Sequence, residues 1–148
     1  MNKTIHTSIL LFIALCVVLG NVNAQEVLTQ ISPPALQKIF KDEGYSFELD
    51  GDGDIIWKIE GVRALVIRSE NGNQIAFRMS FKNENTTLAK INAWNKSKRF
   101  SRTYLDDDGD PVLQLDLELD GGITKERIVD YLKTCRASMA AWAKEVLQ

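Results

Sequence analysis

Histidine and cysteine are almost missing from this sequence. One histidine, His6, and two cysteines, Cys16 and Cys135, occur in 148 residues. His6 and Cys16 both fall in a stretch that reads as a leader. Asn2 and Lys3 open it with a positive charge, Ile9 to Leu19 is an unbroken apolar run, and Val22-Asn23-Ala24 supplies residues a signal peptidase tolerates. The run is shorter than the roughly 18 apolar residues needed to span a membrane. Leu15, directly before Cys16, stands where a lipoprotein anchor wants a small residue. Cleavage after Ala24 is expected, with residues 1–24 as signal peptide and 25–148 as a single domain. That domain is expected to be periplasmic or secreted and not inserted in a membrane.

Each absence excludes chemistry. A mature chain without histidine has no Ser-His-Asp or Cys-His catalysis and no imidazole ligand for a metal. A single cysteine forms no internal disulfide. Export usually permits disulfides, so the fold must hold without one. Cys135 falls on the apolar side of the last helix, where a buried structural thiol is the expected role and a reactive or intermolecular thiol the alternative. An excess of positive charge is missing too. The chain carries 18 basic and 20 acidic residues, a formal charge of −2, and losing Lys3 makes it one unit more acidic. No bulk charge calls for nucleic acid or an anionic membrane.

What is present is a clear order of elements. Ser32-Pro33-Pro34 opens a helix, with Ser32 as cap, Pro33 at the first helical position and Ile31 and Leu36 as a staple. Leu36, Ile39 and Phe40 are its buried stripe, and Gly44 ends it. Strands follow at Tyr45–Leu49 and Ile55–Ile59 around Asp50-Gly51-Asp52-Gly53-Asp54, then at Val62–Ser69 and Gln74–Lys82 around Asn71-Gly72. Ile75, Phe77, Met79 and Phe81 alternate with polar residues, so that sheet is buried on one face and wet on the other. A short helix over Thr87–Ser97 puts Leu88, Ile91 and Trp94 or Asn95 on one side. Strands Arg102–Leu105 and Val112–Leu119 pair across Asp106–Asp110. A slip of one residue would push Leu113, Leu115, Leu117 and Leu119 into water, so their register is firmly specified. Thr124 caps the final helix, whose seam is Ile128, Leu132, Cys135, Met139, Trp142 and Val146. The seam is expected to cover the sheet; a homodimer contact through its Trp142 end is the sharper alternative.

From Ile91-Asn92-Ala93-Trp94-Asn95 through Arg99-Phe100-Ser101-Arg102-Thr103-Tyr104-Leu105-Asp106 to Gly109-Asp110-Pro111-Val112-Leu113, the chain resembles the bacterial YbjN-domain family. Asp50-Gly51-Asp52-Gly53-Asp54-Ile55 and Gly121-Gly122-Ile123-Thr124 support the likeness, which runs from Leu28 to Val146. The resemblance implies an α+β fold similar to type III secretion chaperones: an antiparallel β-sheet with N-terminal, middle and C-terminal helices packed on it. It also implies a sensory transduction regulator or chaperone-like binder that carries no catalytic residues. The hairpin Ser69–Asn73 lacks the cysteine pair often present in exported members.

The remaining chemistry lies in turns and in one basic corner. The two acidic turns invite a calcium reading, yet no frame puts Gly sixth and Glu twelfth as a calcium loop requires, and Asp and Gly are ordinary turn formers. Lys96, Lys98, Arg99 and Arg102 lie beside Trp94, Phe100 and Tyr104. Basic residues among aromatics suit single-stranded nucleic acid, but the acidic balance argues against it. Lys98 and Arg99 are better placed at a helix C-terminus, with the Asp106–Asp110 turn within reach. Trp94, Asn95, Lys98, Arg99, Arg102 and Tyr104 are the candidate partner-binding residues, set against a core Trp and an Asn bonded to backbone. No catalytic, cofactor or metal-ligating residue is assigned. The expected function is a non-catalytic, exported protein-interaction or regulatory module with a protein or peptide partner, bound along an exposed sheet face or helix groove. A small-ligand or calcium-binding sensor is the alternative, and an acid–base hydrolase built on paired carboxylates the weakest.

Overall fold

The computed structural model describes residues 25–82 and 85–148; the expected signal peptide, residues 1–24, lies outside the described residues. Three helices form. α1 (Pro33–Asp42) starts where Ser32 Oγ accepts the Ala35 N–H at 3.4 Å, with Pro33 in the first turn where its missing N–H costs nothing. α2 (Leu88–Ser97) is capped by Thr87 and α3 (Lys125–Trp142) by Thr124, each through its hydroxyl at 3.3 Å. Residues Ala143–Leu147 continue α3 as a π-helix.

Six strands make one antiparallel sheet: β2 (Phe47–Leu49), β3 (Ile55–Ile59), β4 (Val62–Arg68), β5 (Gln74–Ser80), β6 (Arg102–Leu105) and β7 (Pro111–Glu118). Their order across the sheet is β2-β3-β4-β5-β7-β6, while β1 (Val27–Leu28) and β8 (Ile123–Thr124) pair separately. The two alternating runs seen in the sequence therefore lie side by side. Phe77 pairs with Leu115 and Met79 with Leu113, which sets the sheet's centre. Burying each such side chain stabilises the fold by about 1.5–3 kcal/mol, and a shifted register would lose several at once.

All three helices pack on the same face. Phe40 of α1 meets Trp57 edge-on with ring centres 5.2 Å apart, and Trp57 meets Phe77 at 6.2 Å and 87°. Ile128, Leu132, Cys135, Met139, Trp142 and Val146 are all buried against the sheet. The expectation that the seam covers the sheet holds. Trp142, with no exposed surface, offers nothing to a second copy, so the sharper reading of its end as a dimer seam is withdrawn. Leu88 is a second correction. The expected stripe included it, but α2 is turned so that Ile91 and Trp94 face inward and Leu88 stays 71% exposed.

Candidate interaction surface

The joint between α2 and β6 holds most of the residues singled out in the sequence. Trp94 is 2% exposed, and its indole Nε1 donates to Ser101 Oγ at 3.1 Å. Asn95 reads the Thr103 peptide in both directions. Its Nδ2 donates to the Thr103 carbonyl at 2.8 Å and its Oδ1 accepts the Thr103 N–H at 2.9 Å. One side chain thus supplies a rung of ladder to the outer edge of β6, which has no neighbouring strand there. Inside the same strand, the buried Thr103 hydroxyl donates to the Val112 carbonyl at 2.7 Å and accepts Trp142 Nε1 at 2.9 Å.

The six candidates therefore do not converge on one patch. Trp94 is buried in the joint, and Asn95 lies exposed at its rim with its amide bonded to the Thr103 peptide. Lys98 lies over the Trp94 ring at 4.9 Å and pairs with Glu145 at 2.6 Å. The expected contact of Lys98 with the Asp106–Asp110 turn does not form; the C-terminal helical segment takes the ammonium instead. Arg99 is exposed at the corner. Arg102 and Tyr104 point to the opposite face of the sheet, 5.7 Å apart as a cation over a ring, with the Tyr104 hydroxyl donating to Gln114 Oε1 at 3.1 Å.

Both acidic turns fold the same way. Asp50 Oδ1 accepts the N–H groups of Asp52 and Asp54 at 3.0 and 2.9 Å, and Asp106 Oδ1 accepts those of Asp108 and Asp110 at 3.1 and 2.9 Å. Gly53 and Gly109 take the left-handed backbone at φ 87° and 82°, which a side chain resists. Their first carboxylates thus act as turn formers. No group of three or more His, Cys, Asp or Glu among the described residues is arranged to hold a metal ion. Partial burial raises the Asp54 pKa in a cleft of about 260 Å³ that it shares with Pro33, Gln37 and Arg68. Burial likewise pushes the Cys135 thiol up to about 12, keeping it protonated and unreactive.

Among the described residues, no helix packs on the sheet's other face. Strand pairing lines up Glu48, Ile56, Leu65, Arg78, Gln114 and Arg102 across it, with Ile67, Ala76 and Asp116 in the next row. Ile56, Leu65, Ile67 and Ala76 are partly exposed and belong to no buried cluster. Charges surround them. Glu48 pairs with Lys58 at 2.7 Å and with Arg63, and the Lys58 contact holds its carboxyl below the usual range. Partly exposed aliphatic side chains inside a charged border are the make-up of an interaction surface.

A family profile described as "Putative bacterial sensory transduction regulator" matches residues 32–148, most of the chain. The chain belongs to the YbjN family. Among solved structures it is similar to that of "YbjN, a putative transcription regulator from E. coli", with a TM-score of 0.65 at 20% identity, covering 83% of this chain and 99% of the other. At that identity the likeness shows the fold, an antiparallel sheet with three helices. No curated protein is significantly similar in sequence.

The YbjN fold explains why Trp94, Asn95, Ser101 and Thr103 occur together: Trp94 is bonded to Ser101 and Asn95 to Thr103, two ties between α2 and the entry to β6. Two features of this YbjN domain escape the sequence. One is the bare sheet face, because Ile56, Leu65 and Ile67 look like any buried strand residues until the helices are placed. The other is Tyr131, a residue outside the four-three spacing of the final seam. It is 3% exposed, accepts the Phe77 N–H at 2.9 Å and directs its hydrogen to the Leu115 carbonyl at 2.8 Å, clasping β5 and β7. Burial raises its pKa, so the hydroxyl remains a donor. Its position between Ile128 and Cys135, three and four residues away on one helical face, is the signal that could have found it.

Proposed function

We propose that this YbjN-family chain is a non-catalytic regulator, exported to the periplasm or beyond, that works by holding a protein partner on the bare face of its sheet. The observation that carries the reading is the strip of Ile56, Leu65, Ile67 and Ala76, partly exposed on a face that no helix among the described residues covers. A sheet wet on one side ordinarily presents polar residues there. Aliphatic side chains at its centre favour a protein surface as occupant, and the border mixes both signs, with Glu48, Asp116 and Glu118 set among Lys58, Arg63, Arg78 and Arg102, which disfavours a polyanion. The description of the family as a regulator agrees with a binding role.

Chemical crosslinking in periplasmic extract, followed by capture of the tagged protein, tests this. One discrete partner is expected with the natural chain and is lost with Ile67→Glu, whose melting temperature stays within a few degrees of the natural one. Capture that survives Ile67→Glu contradicts the reading. A second copy is the competing occupant, and light scattering of the purified protein separates the two cases. Calorimetric titration with calcium tests the sensor alternative. No heat and no melting shift are expected, since Asp50 and Asp106 already accept backbone N–H groups.

A further inference from the structure

The β7 strand is longer than the strand that borders it. β6 pairs only with Pro111–Gln114, whereas β5 follows β7 as far as Glu118. Beyond Gln114 the chain of β6 leaves the sheet through Phe100 and Arg99, so Leu115–Glu118 has a neighbour on one side only.

The direction of the backbone groups along that edge follows from their partners. The Pro111 carbonyl and the Leu119 N–H bond toward β5. The Leu115 carbonyl turns to the same side, where Tyr131 clasps it to Phe77. The carbonyls of Asp110 and Val112 bond toward β6. Strand alternation then turns the N–H and C=O groups of Asp116 and Glu118 away from β5, into the lane that β6 vacates. That lane is open. A cleft of about 320 Å³ runs beside it, lined by Arg99, Phe100, Leu115, Asp116, Arg127 and Tyr131 among others, and Phe100 is 72% exposed above it.

We infer that this edge accepts an extended segment of a protein partner as an added strand, with basic residues opposite Asp116 and Glu118 and an apolar residue between them. The inference rests on the reading of the domain as a protein-binding module and names a second contact on it. Two backbone groups on Asp116 and two on Glu118 supply the ladder. Asp116 and Glu118 point to the bare face, where they accept hydrogen bonds from the Gln114 and Gln74 side-chain amides at 3.0 and 2.7 Å. Among the described residues neither carboxylate has an ion-pair partner. A residue opposite Leu117 would point inward, toward Tyr131 and the cleft. A second copy of this edge would set carboxylate against carboxylate, which disfavours self-pairing, so a basic strand from another protein is the occupant that fits.

Nuclear magnetic resonance titration of the purified protein with the peptide acetyl-Thr-Lys-Val-Lys-Thr-amide tests the inference. The amide signals of Asp116 and Glu118 are expected to shift saturably and to exchange more slowly with solvent. The same peptide with Glu for both Lys binds roughly tenfold more weakly, and Asp116→Lys with Glu118→Lys reverses that preference. Asp116→Pro, which removes the N–H facing the lane while the β5 ladder stays intact, abolishes the shifts. Shifts confined to other residues, or equal binding of both peptides, overturn the inference. Failure here with the Ile67→Glu effect intact removes the edge site alone. Edge binding with capture indifferent to Ile67→Glu removes the sheet-face reading instead.

Discussion

At Thr103 two strands, α2 and the end of α3 meet through one hydroxyl and one peptide unit. The hydroxyl joins the Val112 carbonyl to the Trp142 indole, and the peptide is held by Asn95. Valine has nearly the same shape but offers no hydrogen bond. Thr103→Val therefore leaves the indole N–H of Trp142 buried without its acceptor and should destabilise the protein by about 1–3 kcal/mol. Urea unfolding measures this, with an unchanged slope expected; a loss of a few tenths would mean that the joint is mere packing. Tyr131 shows the limit of reading at this scale. Hydrophobic spacing ranks side chains by apolar surface, so it passes over a tyrosine whose place is fixed by where its hydroxyl must go.

Helices and strands were legible where period and caps agreed. Ser32 and Thr124 begin α1 and α3 as expected, because a side-chain oxygen can satisfy the free N–H groups of a first turn. The four leucines after Pro111 set the inward face of β7 and its extension, and all four are buried. The order of strands was not legible. Nothing local tells that β7 inserts beside β5 and leaves β6 at the edge, since that choice depends on contacts between residues far apart in sequence. The same lack hid the role of Asn95, which looks like a surface amide until an unpaired edge stands beside it. Exposed edges invite pairing with other chains, and Asn95 closes part of this one. Asn95→Ala should leave the sheet folded while the Thr103 amide loses most of its protection against hydrogen exchange. Protection retained at Thr103 would show that the amide is shielded by burial rather than by Asn95.

For the molecule as a whole, the helices are gathered on one side and tied to each other across the core's rim. Asp42 at the end of α1 binds Lys125 at the start of α3 at 2.6 Å as well as Lys38 within its own helix at 2.8 Å. The Lys125 hydrogen bond, with that of Lys38 after it, holds the Asp42 carboxyl near 2 rather than at its usual 3.8. A carboxyl depressed by folding stabilises the native state fully above its ordinary pKa and loses that effect as the pH falls toward 2. Asp42→Asn should therefore be less stable than the natural protein at pH 6, with most of that gap closed at pH 2 in denaturant unfolding; an equal gap at both values would place the effect elsewhere.

Helices gathered on one side also leave the other side bare, and the functional account depends on that asymmetry. Site-specific photo-crosslinking in the living cell compares the two sides directly. A photoreactive residue at Ile67, on the bare face, should yield one discrete adduct with another protein, while the same residue at Lys133, on the exposed side of α3, yields none. Adducts at Lys133 and none at Ile67 would contradict the account.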